Sequence, residues 1–138
     1  MRLGRVFNKN ISFDYVKKEN SPTIIKTRFI ETYSKTKLFG TYKFNDVFLN
    51  SKNETEVLSY LKKNIKKADG IIALDYGHGL ITRNIARFLE NSGIPLCINT
   101  QLNAANKGFH AISKYKQARF ACIHEGELRH EFRNRDDD

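Results

Sequence analysis

Asp75-Tyr76-Gly77-His78-Gly79 is the stretch whose residue types and spacing most suggest chemistry. A carboxylate leads into a turn with two glycines, and a helix begins just after. Backbone N–H groups ahead of a helix start can hold a phosphate. The pattern is no dinucleotide fingerprint, which needs a third glycine, and no Walker loop, since no Gly-Lys-Ser/Thr follows. A tight structural turn explains the same residues, and both readings stand. His124, Glu125, Glu127, His130 and Glu131 form a second cluster of ligand-type side chains. It departs from the HExxH zinc pattern, because Leu128 stands where the second His belongs. His124, Glu127 and Glu131 can share one helical face, and an acidic first turn also suits the helix dipole. Lys26 and Arg28 are a third candidate, two residues apart on one face of a strand, and fit an anion. Cys97 and Cys122 sit among apolar residues, which argues against an activated thiolate.

These groups need elements to place them. Ile71–Leu74 is a continuous apolar run into Asp75, the pattern of a strand buried on both faces. Pro95–Ile98 and Phe120–Ile123 read as two further strands, followed by Asn99 and His124. Between them, Ile85, Phe88 and Leu89 mark an amphipathic helix that Gly93 and Pro95 end. Ahead of them, Val57, Leu58, Leu61 and Ile65 share a helical face. Ser51-x-x-Glu54 offers that helix a capping box, and Asp69-Gly70 stops it. Glu125–Phe132 reads as a last helix and 134–138 as a frayed, charged tail, while 103–115 is ambiguous. Strand–helix alternation predicts parallel βαβ units. Three strand ends then meet at one edge: Asp75 to Gly79, Asn99 to Gln101, and His124 to Glu127. Ligands bind beyond such carboxyl ends in open parallel sheets. Upstream, Ile11–Val16 alternates weakly and reads as a strand, as do Thr23–Thr32 and Lys37–Phe44, the last bent at Gly40. They make a small antiparallel layer.

The 138 residues suit one domain with a real core. The apolar runs are too short to span a membrane, and no cleavable signal is visible. Both cysteines read as reduced, buried thiols on neighbouring strands of a cytoplasmic protein. The net charge of +9 lies wholly in residues 1–67, where 15 Lys/Arg face 6 Asp/Glu; residues 68–138 balance at 9 against 9. Such a basic half suits a solvated lysine-rich surface, an anionic small molecule or nucleic acid. Lys62, Lys63, Lys66 and Lys67 suit the C-terminal end of one helix.

ADGIIALDYGHGLIT, with SPTIIKTRFI and KLFGTYKF upstream and GIPLCINTQ and FACIHEGELR downstream, resembles the PfkB (ribokinase-like) carbohydrate kinases. The nearest branch is the heptose-7-phosphate kinase domain of ADP-heptose synthases. The similarity runs over roughly residues 10–132. His78 stands in place of the family's usual Lys, Asn99 and Gln101 in place of an Asp and a Lys, and His124 in place of the Asn of Asn-x-x-Glu; Glu127 keeps the Glu. The family's N-terminal Gly-Gly segment and its Gly-Ala-Gly-Asp segment, which carries the catalytic base, have no counterpart. The resemblance therefore implies a central fragment, one partial kinase domain with a β layer over 11–44 and an α/β core over 54–132.

The expected fold class is α/β: a partial ribokinase-like fold, a parallel sheet with flanking helices and a small N-terminal β layer. The family chemistry is γ-phosphoryl transfer to a sugar hydroxyl, with ATP and Mg²⁺ as implied cofactors. By resemblance, Lys26, Arg28, Asp75, Tyr76, Gly77, His78, Gly79, Asn99 and Gln101 form the substrate side. His124 and Glu127 organise magnesium and phosphates. No catalytic base is assigned and no dedicated metal site is expected, so the isolated chain is expected to be inactive. The implied partners are a sugar phosphate and either the remainder of a kinase domain or a second copy. A non-catalytic sugar- or nucleotide-binding module and a basic nucleic-acid-binding domain are the alternatives, although nucleic acid is not the expected partner.

Overall fold

The computed structural model describes residues 10–101 and 112–133. The charged tail 134–138 and residues 103–111 of the ambiguous stretch lie outside them. The chain makes a two-stranded antiparallel hairpin and then a three-stranded parallel sheet with helices.

The hairpin pairs β1 (Ile25–Ile30) with β2 (Lys37–Lys43). β-Branched and aromatic residues favour extended backbone here. Phe29 and Phe39 stack across the ladder with centroids 4.3 Å apart. Lys26 lies opposite Tyr42 and Arg28 opposite Gly40, so the two cations share a face. The ladder slips between Phe29 and Ile30, whereas Gly40 stays in register, so the expected bend at Gly40 is not where the irregularity falls. Glu31 closes the connection by accepting the Tyr33 N–H at 2.9 Å and the Ser34 N–H. These backbone donors hold its carboxyl below the usual range. Residues 11–16 form no strand, because their weak alternation finds no ladder partner among the described residues.

Helix α1 (Ser51–Asn64) continues as a short 3-10 turn, Ile65–Lys67. Its N-cap is Asn50, whose side chain accepts the Asn53 N–H at 2.8 Å. The Ser51/Glu54 capping box is therefore not used. Glu54 reaches instead to α2 (Arg83–Glu90), accepting from the Thr82 hydroxyl and from Asn84 Nδ2 at 3.2 Å. Thr82 caps α2 through the Ile85 N–H at 3.2 Å. One carboxylate thus ties the first turns of both helices together.

In the sheet, β3 (Ile71–Asp75), β4 (Leu96–Thr100) and β5 (Phe120–Cys122) lie in the order β3-β4-β5, all parallel. Their carboxyl ends share one edge. β4 runs past Ile98 and Asn99 to Thr100. A 3-10 turn, Ile112–Lys114, precedes β5, and α3 (Glu125–Phe132) follows it. One sheet face carries Ala73, Leu96, Ile98 and Thr100 into the core, where they meet Leu49, Ile65, Ile85, Ala86 and Leu89. Val57, Leu58, Leu61 and Phe88 pack around that cluster, as their helical spacing predicts.

The opposite face corrects two expectations. Ile72 is 75% exposed, Leu74 55% and Phe120 64%, so the apolar run of β3 is buried on one face only. Cys97 and Cys122 do lie on neighbouring strands, but on that same face. Cys97 is half-buried and Cys122 exposed, because β5 is an edge strand. Among the described residues no helix is long and apolar enough to cross a membrane.

Candidate functional site

Asp75 ends β3 with its carboxylate only 4% exposed. Its Oδ1 accepts the Gly77 N–H at 3.0 Å, which closes the turn. Its Oδ2 accepts the Tyr115 hydroxyl at 2.9 Å and pairs with Lys114 Nζ. Lys114 also donates to the Ile81 carbonyl at 2.8 Å. A buried carboxylate needs such compensation for its lost hydration. Burial and the neighbouring Asp75 charge push the Tyr115 hydroxyl far above the ordinary tyrosine range, so it stays a proton donor. Asp75 is thus committed to building the turn.

The two glycines answer to backbone geometry. Gly77 and Gly79 both have positive φ, 69° and 80°. A Cβ on Gly79 would stand 2.5 Å from the Val47 carbonyl oxygen. Leu49 N–H donates to the Gly79 carbonyl at 3.1 Å, so the segment entering α1 presses on the turn. Between the glycines, the His78 ring tilts against Phe44 with centroids 5.2 Å apart. Its Nδ1 is buried and has no hydrogen-bond partner among the described residues. Lys18 donates to the Asn45 carbonyl at 2.8 Å and reaches the His78 carbonyl at 3.5 Å; burial lowers its pKa.

A cleft of about 600 Å³ opens beside this turn. Gly77, Gly79, Ile81 and Phe48 contribute to its walls, and so do Arg83, Arg87, Lys114 and Lys116. Glu90 also lines it, accepting the Lys116 N–H and, at 2.6 Å, the Gln117 N–H. Neither Lys26, Arg28 nor His78 is among the lining residues.

The other residues singled out in the sequence are distributed as follows. Tyr76 is exposed beside Asp75. Asn99 lies one residue before the end of β4 and donates to the Cys122 carbonyl at 2.6 Å, tying the edge strand down. Gln101 lies just past β4 and is exposed. His124 and Glu127 cap α3 reciprocally: Gly126 N–H donates to His124 Nδ1 at 3.0 Å, and His124 N–H to Glu127 Oε2 at 2.7 Å. Glu125 pairs with Arg129 at 2.8 Å. Among the described residues no group of three or more His, Cys, Asp or Glu is placed to hold a metal ion.

The sheet edge joins Asp75–Gly79 to the ends of β4 and β5, while Lys26 and Arg28 stay on the hairpin. Sequence reading missed Lys114, Tyr115, Arg83, Arg87 and Lys116. Only the arginines carried a signal: they stand four apart, directly after the glycine turn.

Fold and site define an α/β protein with a parallel sheet and a cationic cleft at the carboxyl edge. Over 97 residues, 70% of its length, the chain is 28% identical to the bifunctional protein HldE of Aliarcobacter butzleri (strain RM4018). The match spans 19% of that relative's length. No family model matches the chain, and no solved structure matches it significantly.

Proposed function

We propose that the chain is a partial PfkB-like sugar-kinase domain that binds a sugar phosphate at the carboxyl edge of its sheet. Residues 11–44 supply the β layer and 54–132 the ribokinase-like α/β core. The observation that carries this reading is the Asp75-locked turn, which sets Gly77 and Gly79 into the wall of a cleft at the edge where such folds bind ligands. The similarity to HldE and the DYGHGLIT motif support it. ATP and Mg²⁺ belong to the family chemistry and would need groups beyond those described here. Binding without phosphoryl transfer is the expected behaviour of this chain by itself: Asp75, which ends β3, and Glu127, after β5, are both engaged in internal hydrogen bonds, and no residue is assigned as the base for a sugar hydroxyl.

A thermal-shift series with heptose and hexose phosphates, ATP and Mg²⁺ tests this, because a ligand that binds only the native state raises the melting point. A sugar phosphate is expected to raise it. No rise with any sugar phosphate at millimolar concentration would overturn the reading.

A further inference from the structure

Arg83, the first cation of α2, is in a place that folding alone disfavours, whereas Arg87 lies in the last turn. Arg83 is the first residue of the helix, and no acidic residue stands in that first turn. Positive charge at a helix N-terminus opposes the helix dipole. Arg87 follows one turn later on the same face, and like charges at this spacing repel. Among the described residues neither arginine has a hydrogen-bonded or ion-paired partner, in contrast to Arg129, which pairs with Glu125. Both line the cleft.

The opposite wall adds to the imbalance. Lys114 is neutralised by Asp75 and fixed by the Ile81 carbonyl. Lys116 has no such partner among the described residues, and its backbone is pinned by Glu90. The cleft therefore holds three uncompensated cations, Arg83, Arg87 and Lys116, against one carboxylate, Glu90, an excess of two positive charges. A phosphate monoester carries close to two negative charges at neutral pH. Guanidinium groups match its oxygens with paired, directional donors.

We infer that this cleft is a binding site for a phosphate monoester, held by Arg83, Arg87 and Lys116 against the Gly77–Gly79 turn. Lys114 and Asp75 are positioning residues that shape its floor. The inference rests on the sugar-phosphate reading for the body of the ligand and assigns the phosphate end to α2 and not to the hairpin.

The experiment is an NMR titration of the whole chain with inorganic phosphate, a hexose phosphate and the unphosphorylated hexose at about 0.1 M salt, where weak surface pairs are screened. Both phosphates are expected to shift the Gly77 and Gly79 amides, and the bare sugar not to. Arg83→Gln/Arg87→Gln should weaken both phosphates at least about tenfold, the loss expected for charge-assisted pairs. Lys62→Gln/Lys63→Gln, on the far end of α1, should change them less than twofold. Since Arg83 and Arg87 are exposed, the double variant should fold and, without ligand, melt no lower than the parent chain. Unchanged phosphate affinity in the arginine variant, or equal loss in the lysine variant, overturns the site. Tight inorganic phosphate with no added affinity for the hexose phosphate supports the cleft and removes the sugar-kinase reading.

Discussion

The two faces of the three-stranded sheet are built from interleaved residues of the same strands, yet they live in different solvents. Ala73, Leu96 and Ile98 point into a core closed by α1 and α2. Ile72 and Leu74, on either side of Ala73, face outward, and so does Phe120 on β5. Parallel sheets are as a rule covered on both sides. The difference shows that apolar side chains on a strand record what the strand is suited to pack against, while burial depends on which helices come back to cover it. Here α1 and α2 serve one face, and the other face has no covering layer among the described residues.

Removing Asp75 should give the largest effect on the covered side. Asp75→Ala leaves the largely buried Lys114 ammonium without its carboxylate, and the Gly77 N–H and Tyr115 hydroxyl without their acceptor. Breaking a buried pair in this way costs about 3–5 kcal/mol, measured by urea denaturation. A loss below about 1 kcal/mol would mean that the pair is open to water and the turn is built otherwise.

A matched pair of truncations sharpens the contrast. Ile98→Ala, on the covered face, should cost about 2–4 kcal/mol through lost burial and a residual cavity. Ile72→Ala, on the bare face, should stay within about 0.5 kcal/mol, as surface substitutions do. Equal costs would show that the outward face is covered in solution.

The thiols give the same comparison without perturbing stability. Cys122 is expected to react with a polar thiol reagent in the native state at a rate near that of a model peptide, with half-buried Cys97 slower. Equal protection of both would again mean that something covers this face.

Much of the architecture could be read from residue order. The helical spacing of Val57, Leu58, Leu61 and Ile65, and of Ile85, Phe88 and Leu89, identified the faces that pack. The apolar runs ending at Asp75, Asn99 and His124 revealed parallel strands with a common edge. What stayed hidden depends on three-dimensional partners. Ile71–Leu74 looks the same whether one face or two are buried, since periodicity says nothing about the number of covering helices. His124 and Glu127 form a capping pair, which uses the same donor and acceptor chemistry, at the same three-residue spacing, as a ligand pair, and sequence alone does not tell the two apart. Lys114 and Tyr115 meet Asp75 across about forty residues, a juxtaposition that no local pattern encodes. The glycines of the turn were legible as a turn, but their cationic neighbours became a group only when the segment around Lys116 folded back against Glu90.

Gly79 also sets an order in time. Its missing side chain makes room for the Val47 carbonyl, and its own carbonyl takes the Leu49 N–H. The partners are separated by all of α1 and β3, so the turn cannot be completed by its own five residues. Closing a loop of that length costs chain entropy before any contact repays it. The Asp75–Gly79 turn is therefore completed only when the linker that precedes α1 reaches it across that loop. A nascent chain that has made only the Asp75–Gly79 stretch possesses the motif without the site.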